Sequence, residues 1–222
     1  MITVHHLDNS RSQRILWLLE ELELEYQIVF HKRHPIGFAP PELKGVHPLG
    51  KAPVVDLDGQ VVAESGAAIE LITQRYGRGR LMPDPASSDY VRYVELLHYP
   101  EGSAAPPLGM LLFSRIFRVD NAGFNSYVAA QIELHLDYVQ GLVTDREFVI
   151  GGQLTAADVQ LTFTLQQAPR SKLLEQRPVL LAYVARMEAR DAYKRAIDKG
   201  GPFTLNISQV GRPAGSIARA PR

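Results

Sequence analysis

The sequence predicts an α/β N-terminal part followed by an all-helical C-terminal part. Strand-like and helical apolar patterns alternate at first, glycines and prolines interrupt them at residues 77–88, and only helical spacing follows. The 222 residues are enough for one or two domains with a sizeable core. We predict an N-terminal domain at 1–77, a linker at 78–87 and a helical domain at 88–203. The basic, Pro- and Gly-rich stretch 204–222 is predicted to be an extended or disordered tail.

The N-terminal part has the order β-α-β and then β-β-α. The predicted elements are strands at residues 2–6 and 26–30 around a helix at 11–24, then strands at 54–57 and 61–63 and a helix at 65–76. A β-α-β unit favours a right-handed crossover between parallel strands. The dipeptide Asp58-Gly59 between the later strands is a strong hairpin signal.

The C-terminal part is predicted to contain helices near residues 87–117, 123–144, 155–168 and 178–198. Thr155 and Asp158 have the spacing of a capping box, with Leu154 and Val159 placed as a hydrophobic staple. These four residues are therefore expected to start a buried helix and to take no part in chemistry.

Composition excludes several classes of function. The formal net charge is zero, so no large basic field is available for nucleic acid or an anionic membrane. No apolar run approaches the roughly 20 residues that span a bilayer, and the N-terminus lacks a signal-peptide pattern, so a cytoplasmic location is expected. There is no cysteine, which removes disulfides and thiol nucleophiles, and the seven histidines show no metal-binding spacing.

Two short segments point to a site for a small peptide. Pro53 directly precedes an apolar run and cannot donate to a sheet, so a cis bond after Ala52 is plausible there and would turn the Ala52 backbone outward. An extended peptide could pair with that backbone. Glu64 and Ser65 fall where a strand gives way to a helix, and free amides at a helix start favour a carboxylate.

The chain resembles the cytosolic glutathione S-transferases, which implies a thioredoxin-like N-terminal domain and a helical-bundle C-terminal domain. The resemblance covers nearly the whole chain and rests on four motifs in the family order: Asn9-Ser10-Arg11-Ser12-Gln13-Arg14 and the apolar residues that follow it, Pro53, Glu64-Ser65-Gly66, and Leu154-Thr155-Ala156-Ala157-Asp158. Pro40-Pro41-Glu42-Leu43 and His47-Pro48-Leu49-Gly50 are similar to segments of a fungal and bacterial subgroup.

In serine-type members of that family the catalytic serine lies four residues before an arginine, as Ser10 lies before Arg14. The resemblance therefore implies that Ser10 donates to the thiolate of glutathione. Ser12 and Asn9 are alternatives for this role, because the alignment can shift by one or two positions. Ser10 could also serve only as a helix cap.

The resemblance also implies the remaining contacts. Glu64 and Ser65 would hold the γ-glutamyl end of glutathione, Lys51 would face the glycyl carboxylate, and the backbone of Ala52, before Pro53, would pair with the cysteinyl unit. An apolar pocket for the electrophile would lie between the domains, with candidate wall residues Tyr99, Met110, Phe113, Phe117 and Phe124.

The implied activity is conjugation of glutathione to small, apolar electrophiles, a detoxification reaction, by a homodimer in the cytoplasm. Glutathione would be a co-substrate, and no cofactor, metal, nucleic acid or membrane partner is expected. Two alternatives stay open at this point. The chain could be a non-catalytic binding or regulatory module of the same fold, or a glutathione-dependent peroxidase or disulfide reductase.

Overall fold

The computed structural model describes residues 1–33, 39–168 and 173–203. Its elements in chain order are β1 (Ile2–Leu7), α1 (Gln13–Glu21), β2 (Tyr26–His31), α2 (Leu43–Val46), β3 (Val54–Leu57), β4 (Gln60–Ala63), α3 (Ser65–Tyr76), α4 (Asp89–Tyr99), α5 (Ala105–Phe117), α6 (Ala122–Val143), α7 (Ala156–Gln167), α8 (Pro178–Glu188) and α9 (Asp191–Gly200). The predicted fold class is confirmed, whereas the tail at 204–222 lies outside the described residues. The division into domains stays a prediction.

The four strands form one mixed sheet in the order β2-β1-β3-β4. β1 runs parallel to β2, as the predicted β-α-β unit requires, and antiparallel to β3. β3 and β4 are antiparallel, as the predicted hairpin requires. In the hairpin Asp56 pairs with Val61, and both turn residues have positive φ angles, 55° at Asp58 and 87° at Gly59. Two positive φ angles are typical of the tight turns that connect twisted strands.

Helix α1 is buried along its whole length, because the sheet covers one side and α3, α7 and α9 cover the others. Its apolar residues Ile15, Leu16, Leu18 and Leu19 have no exposed surface. The polar residues of α1 are buried as well, and Arg14 is only 1% exposed. The turn before α1 is consequently held between the sheet and the C-terminal helices.

The predicted C-terminal helices are present with two differences. Residues 89–117 are helical throughout, but Pro100–Ala104 is a π-helical turn between α4 and α5. Pro100 has no amide hydrogen to donate, which accounts for the break in the α-helical pattern. The prediction of one helix at 178–198 is wrong, because Arg190 is extended (ψ 139°) and separates α8 from α9. Its guanidinium reaches Glu21 of α1 at 2.6 Å, a tertiary contact that local pattern does not reveal.

The predicted capping interaction at α7 is confirmed. Asp158 accepts hydrogen bonds from the amide of Thr155 (2.9 Å) and from its hydroxyl (3.0 Å). It also accepts from the amide of Val149 (2.9 Å) and the hydroxyl of Tyr183 (2.8 Å). A single carboxylate thus fixes the start of α7, the loop before it and α8. Across the described ranges, no helix is long and apolar enough to cross a membrane.

Candidate active site

The register of the sheet brings the predicted site segments to one end of the N-terminal part. His5, near the end of β1, pairs with Val54 at the start of β3, and Val54 pairs on its other side with Ala63 at the end of β4. The turn after β1, the segment before β3 and the start of α3 therefore lie at the same end of the sheet.

Ser10 lies in the turn between β1 and α1 and is partly exposed. Its Oγ accepts a hydrogen bond from the amide of Ser12 (3.2 Å), and its carbonyl accepts from the amide of Gln13 (3.2 Å). These bonds place the Ser10 hydroxyl beside the N-terminal end of α1, where the helix dipole favours negative charge. Asn9 precedes it with a positive φ of 53°, and its carbonyl accepts from Arg33.

Ser12 has no exposed surface. Its Oγ accepts from the amide of Leu7 (3.1 Å) and lies 2.9 Å from Nδ1 of His6 and 2.7 Å from Oγ of Ser10. Because Ser12 is enclosed by these partners, Ser10 is the hydroxyl of the pair that a ligand can reach. This geometry favours Ser10 over Ser12.

The segment before β3 has the predicted cis bond between Ala52 and Pro53. Lys51 is exposed, Ala52 is half-buried and Pro53 is buried. β3 is a central strand paired on both sides from Val54 onward. Backbone groups open to a ligand are therefore limited to the residues that precede Val54, and they do not extend along a free strand edge.

Glu64 precedes α3 with a φ of 72° and a ψ of 119°, a conformation that is rare for a residue with a side chain. Such backbone strain costs on the order of 1–3 kcal/mol and occurs most often at functional sites. Glu64 is exposed, whereas Ser65, the first residue of α3, is 3% exposed. The Ser65 hydroxyl accepts from Nη1 of Arg14 at 3.3 Å, so it is held from inside the protein.

Arg14 joins the N-terminal part to the C-terminal helices. Its Nη1 forms an ion pair with Glu101 in the π-helical turn (2.7 Å) and donates to Gln160 of α7, and its guanidinium lies 4.3 Å from the ring centroid of Phe163. Burial lowers the pKa of Arg14 to about 10, although Glu101 opposes the shift. Burial works in the opposite direction at Glu101, but the charges of Arg14 and Arg11 outweigh it and lower the pKa of that carboxyl.

Sequence reasoning used Arg14 only as a spacing marker and did not find Glu101, Gln160 or His6. A signal for Arg14 and Gln160 existed. Arg14 directly precedes the buried apolar run 15–19 of α1, and Gln160 lies in a helix whose residues 156–166 are all buried. Polar side chains in such positions need buried partners.

Comparison with known proteins identifies the family. Residues 10–75 match the model of the glutathione S-transferase N-terminal domain. The chain is 35% identical to glutathione S-transferase 3 of Schizosaccharomyces pombe over 93% of this chain and 91% of that protein. It is 30% identical to glutathione S-transferase 1 of Saccharomyces cerevisiae over 93% of this chain and 98% of the relative. The chain belongs to the glutathione S-transferase family.

Solved glutathione S-transferases have the same architecture. The structure of one from Actinobacillus pleuropneumoniae is 35% identical, with a TM-score of 0.85 over 94% of this chain and 96% of that one. A glutathione transferase from Phanerochaete chrysosporium, solved with oxidized glutathione, shares the fold with a TM-score of 0.75 at 19% identity over 90% and 94% of the two chains. The relatives are named as transferases, which supports transferase activity and neither of the two alternatives.

Only some of the residues predicted to line the electrophile pocket of this glutathione S-transferase share one surface. Met110, Phe113 and Phe117 share one face of α5 and are 41%, 56% and 61% exposed, and the two phenyl rings stack at 6.1 Å. Phe124 is half-buried near the start of α6. Tyr99, the last residue of α4, is half-buried, and its hydroxyl lies 2.9 Å from Nδ1 of His135 on α6. Burial raises the pKa of Tyr99.

Proposed function

We propose that this chain is a serine-type glutathione transferase in which Ser10 stabilises the thiolate of glutathione for attack on a small, apolar electrophile. The observation that carries the proposal is the position of the Ser10 hydroxyl. It is accessible, lies at the start of α1 and is fixed there by the amide of Ser12.

The energy required is within the range that such a site supplies. A thiol with a pKa near 8.5 is only a few per cent thiolate at neutral pH, and lowering the pKa by about two units takes roughly 2.7 kcal/mol. A hydrogen bond to a charged group contributes about 1.5–3 kcal/mol, and a helix dipole about 0.3–1 kcal/mol. Together the Ser10 hydroxyl and the N-terminus of α1 contribute about 1.8–4 kcal/mol, a range that includes the required energy.

The other parts of glutathione would bind at the same end of the sheet. The first amides of α3 and the exposed carboxylate of Glu64 suit the γ-glutamyl group, which carries both an anionic and a cationic centre. The backbone of Ala52 suits the cysteinyl unit, and Lys51 suits the glycyl carboxylate. The exposed aromatic face of α5 is the proposed contact for the electrophile. We propose that the chain needs no cofactor. We also propose that it acts in detoxification as a homodimer in the cytoplasm.

The test is a pH profile of thiolate absorbance and of turnover with an aryl halide, for the wild type and Ser10→Ala. We expect Ser10→Ala to slow conjugation about ten- to hundredfold near neutral pH while glutathione affinity stays nearly unchanged. The defect should shrink above about pH 8.5, where solvent already supplies the thiolate. Exposed Ser126 on α6 offers a matched control, since Ser126→Ala should have no effect. A Ser10→Ala variant that equals the wild type at every pH would refute the role of Ser10.

A further inference from the structure

A continuous line of hydrogen bonds connects Ser10 to the C-terminal end of α9. Oγ of Ser10 lies 2.7 Å from Oγ of Ser12, which lies 2.9 Å from Nδ1 of His6. On the other side of the imidazole, Nε2 lies 2.9 Å from the carbonyl oxygen of Gly200. His6, Ser12 and Gly200 are buried, and Ser10 is the member at the surface.

The chemistry of the partners determines where the protons are. A backbone carbonyl can only accept, so Nε2 of His6 carries a hydrogen and, in the neutral ring, Nδ1 is an acceptor. Ser12 therefore donates to Nδ1, since the competing carbonyl of Leu7 is farther away at 3.2 Å. The lone pairs of the Ser12 oxygen accept from the amide of Leu7 and from the hydroxyl of Ser10. Every hydroxyl in the line points inward, toward His6.

We propose that this line carries the thiol proton of bound glutathione to His6. The inference rests on the proposed function, because it assigns a destination to the proton that thiolate formation removes. The S–H bond of glutathione breaks and its proton passes to Oγ of Ser10. The proton of Ser10 passes to Oγ of Ser12, and that of Ser12 passes to Nδ1 of His6. The products are a thiolate and an imidazolium.

The same shift reverses every hydrogen bond between glutathione and Nδ1 of His6, while Nε2–H of His6 still donates to Gly200. Ser10 now donates to the thiolate, Ser12 donates to Ser10, and Nδ1–H of His6 donates to Ser12. The resting orientation thus receives the proton, and the orientation after transfer stabilises the anion. A fixed Ser10 hydroxyl would achieve only the second of these effects.

His6 is suited to accept the proton and to keep it while the thiolate is bound. Burial lowers the pKa of His6, and His31 acts in the same direction, so the ring is neutral at physiological pH and able to accept. The carbonyl of Gly200 and the carboxylate of Asp8 oppose that shift and stabilise the imidazolium. Gly200 is the last residue of α9, so its carbonyl has no intrahelical donor and lies at the negative end of the helix dipole. The new thiolate adds a further attraction.

The close approach of α9 to His6 depends on glycine. A Cβ built at Gly200 would lie 2.5 Å from Cδ1 of Leu16, 2.7 Å from Oε1 of Gln13 and 3.2 Å from Cε1 of His6. A side chain at this position would therefore push the carbonyl away from the ring.

The decisive experiment counts protons. Glutathione is bound at pH 7.5 to the full chain, thiolate is measured by its absorbance, and proton release is obtained from calorimetry in buffers of different ionisation enthalpy. S-methylglutathione, which has no thiol proton, is subtracted to remove contributions from the other groups. If the proton stays on His6, release per thiolate is close to zero. If the proton leaves for solvent, release is about one per thiolate, because most free thiol is protonated at this pH.

A pair of histidine variants supplies the control. His6→Asn keeps an acceptor for Ser12 but provides no base, so we expect less thiolate at pH 7.5 and about one proton released for each thiolate that still forms. His5→Asn changes the neighbouring histidine, whose ring contacts His31, and should keep the wild-type count.

The outcomes separate this inference from the proposed function. Wild-type protein that forms thiolate and releases one proton for each overturns the relay and leaves the function of Ser10 intact. Wild-type protein that binds glutathione without forming thiolate overturns both. The wild-type count decides the question even if His6→Asn does not fold.

Discussion

Two arginines share the carboxylate of Glu101, and the structure predicts that they contribute very differently to stability. Arg14 contacts Glu101 at 2.7 Å with no side-chain exposure, whereas Arg11 contacts it at 2.8 Å with 45% of its side chain exposed. Removing one partner of a buried ion pair costs about 3–5 kcal/mol, because a buried charge is left uncompensated. An exposed pair contributes about 0–1 kcal/mol.

We therefore expect Arg14→Met to lower the free energy of unfolding by about 3–5 kcal/mol, and Arg11→Met by at most about 1 kcal/mol. For a chain of this size the first change corresponds to a fall in Tm of about 6–20 °C and the second to at most about 4 °C. Urea unfolding and calorimetry measure both quantities.

The pH dependence provides an independent check. Because the pKa of Glu101 is lower in the folded state than in the unfolded chain, the ion pair stabilises the protein above the unfolded value. That stabilisation is lost as the pH falls through the folded-state value, so the difference between wild type and Arg14→Met should narrow below about pH 4. Equal losses for Arg14→Met and Arg11→Met at neutral pH would refute the argument from burial.

Three further predictions concern the site, α9 and the oligomer. Ser65→Ala should weaken glutathione binding by about 1.5–3 kcal/mol in calorimetry, and an unchanged affinity would remove Ser65 from the site. Gly200→Ala should lower the free energy of unfolding by about 1–3 kcal/mol, because the added methyl group overlaps Leu16 and Gln13. A Tm equal to that of the wild type would show that α9 moves aside without loss of stability. Light scattering at micromolar concentration should give twice the chain mass, as expected for a two-fold dimer, and a monomer mass would contradict the proposed assembly.

Most of the N-terminal fold could be predicted because its signals are local. Asp58-Gly59 supports a turn with positive φ angles, and the spacing of apolar residues distinguishes the strands from α1. The capping pair Thr155 and Asp158 was likewise predictable, since both members lie within one helical turn.

The features that sequence reasoning missed depend on contacts between distant residues. The break at Arg190 accompanies a bond to Glu21, and the missed partners of Arg14, Glu101 and Gln160, come from two separate helical segments. The sequence favours Ser10 through its spacing to Arg14 but leaves Ser12 open, and the burial of Ser12 against His6 supplies the geometric reason to separate them. Such information becomes available only when the elements are packed together.

The enclosure of α1 has a consequence for protein engineering. Both the sheet and the C-terminal helices pack against α1. A chimera that joins residues 1–77 to the helical half of another relative would replace α7 and α9. The side chains of α1 would then pack against residues that do not match them. The two halves of this protein are therefore not interchangeable modules, and grafts should transfer α1 together with the helices that enclose it.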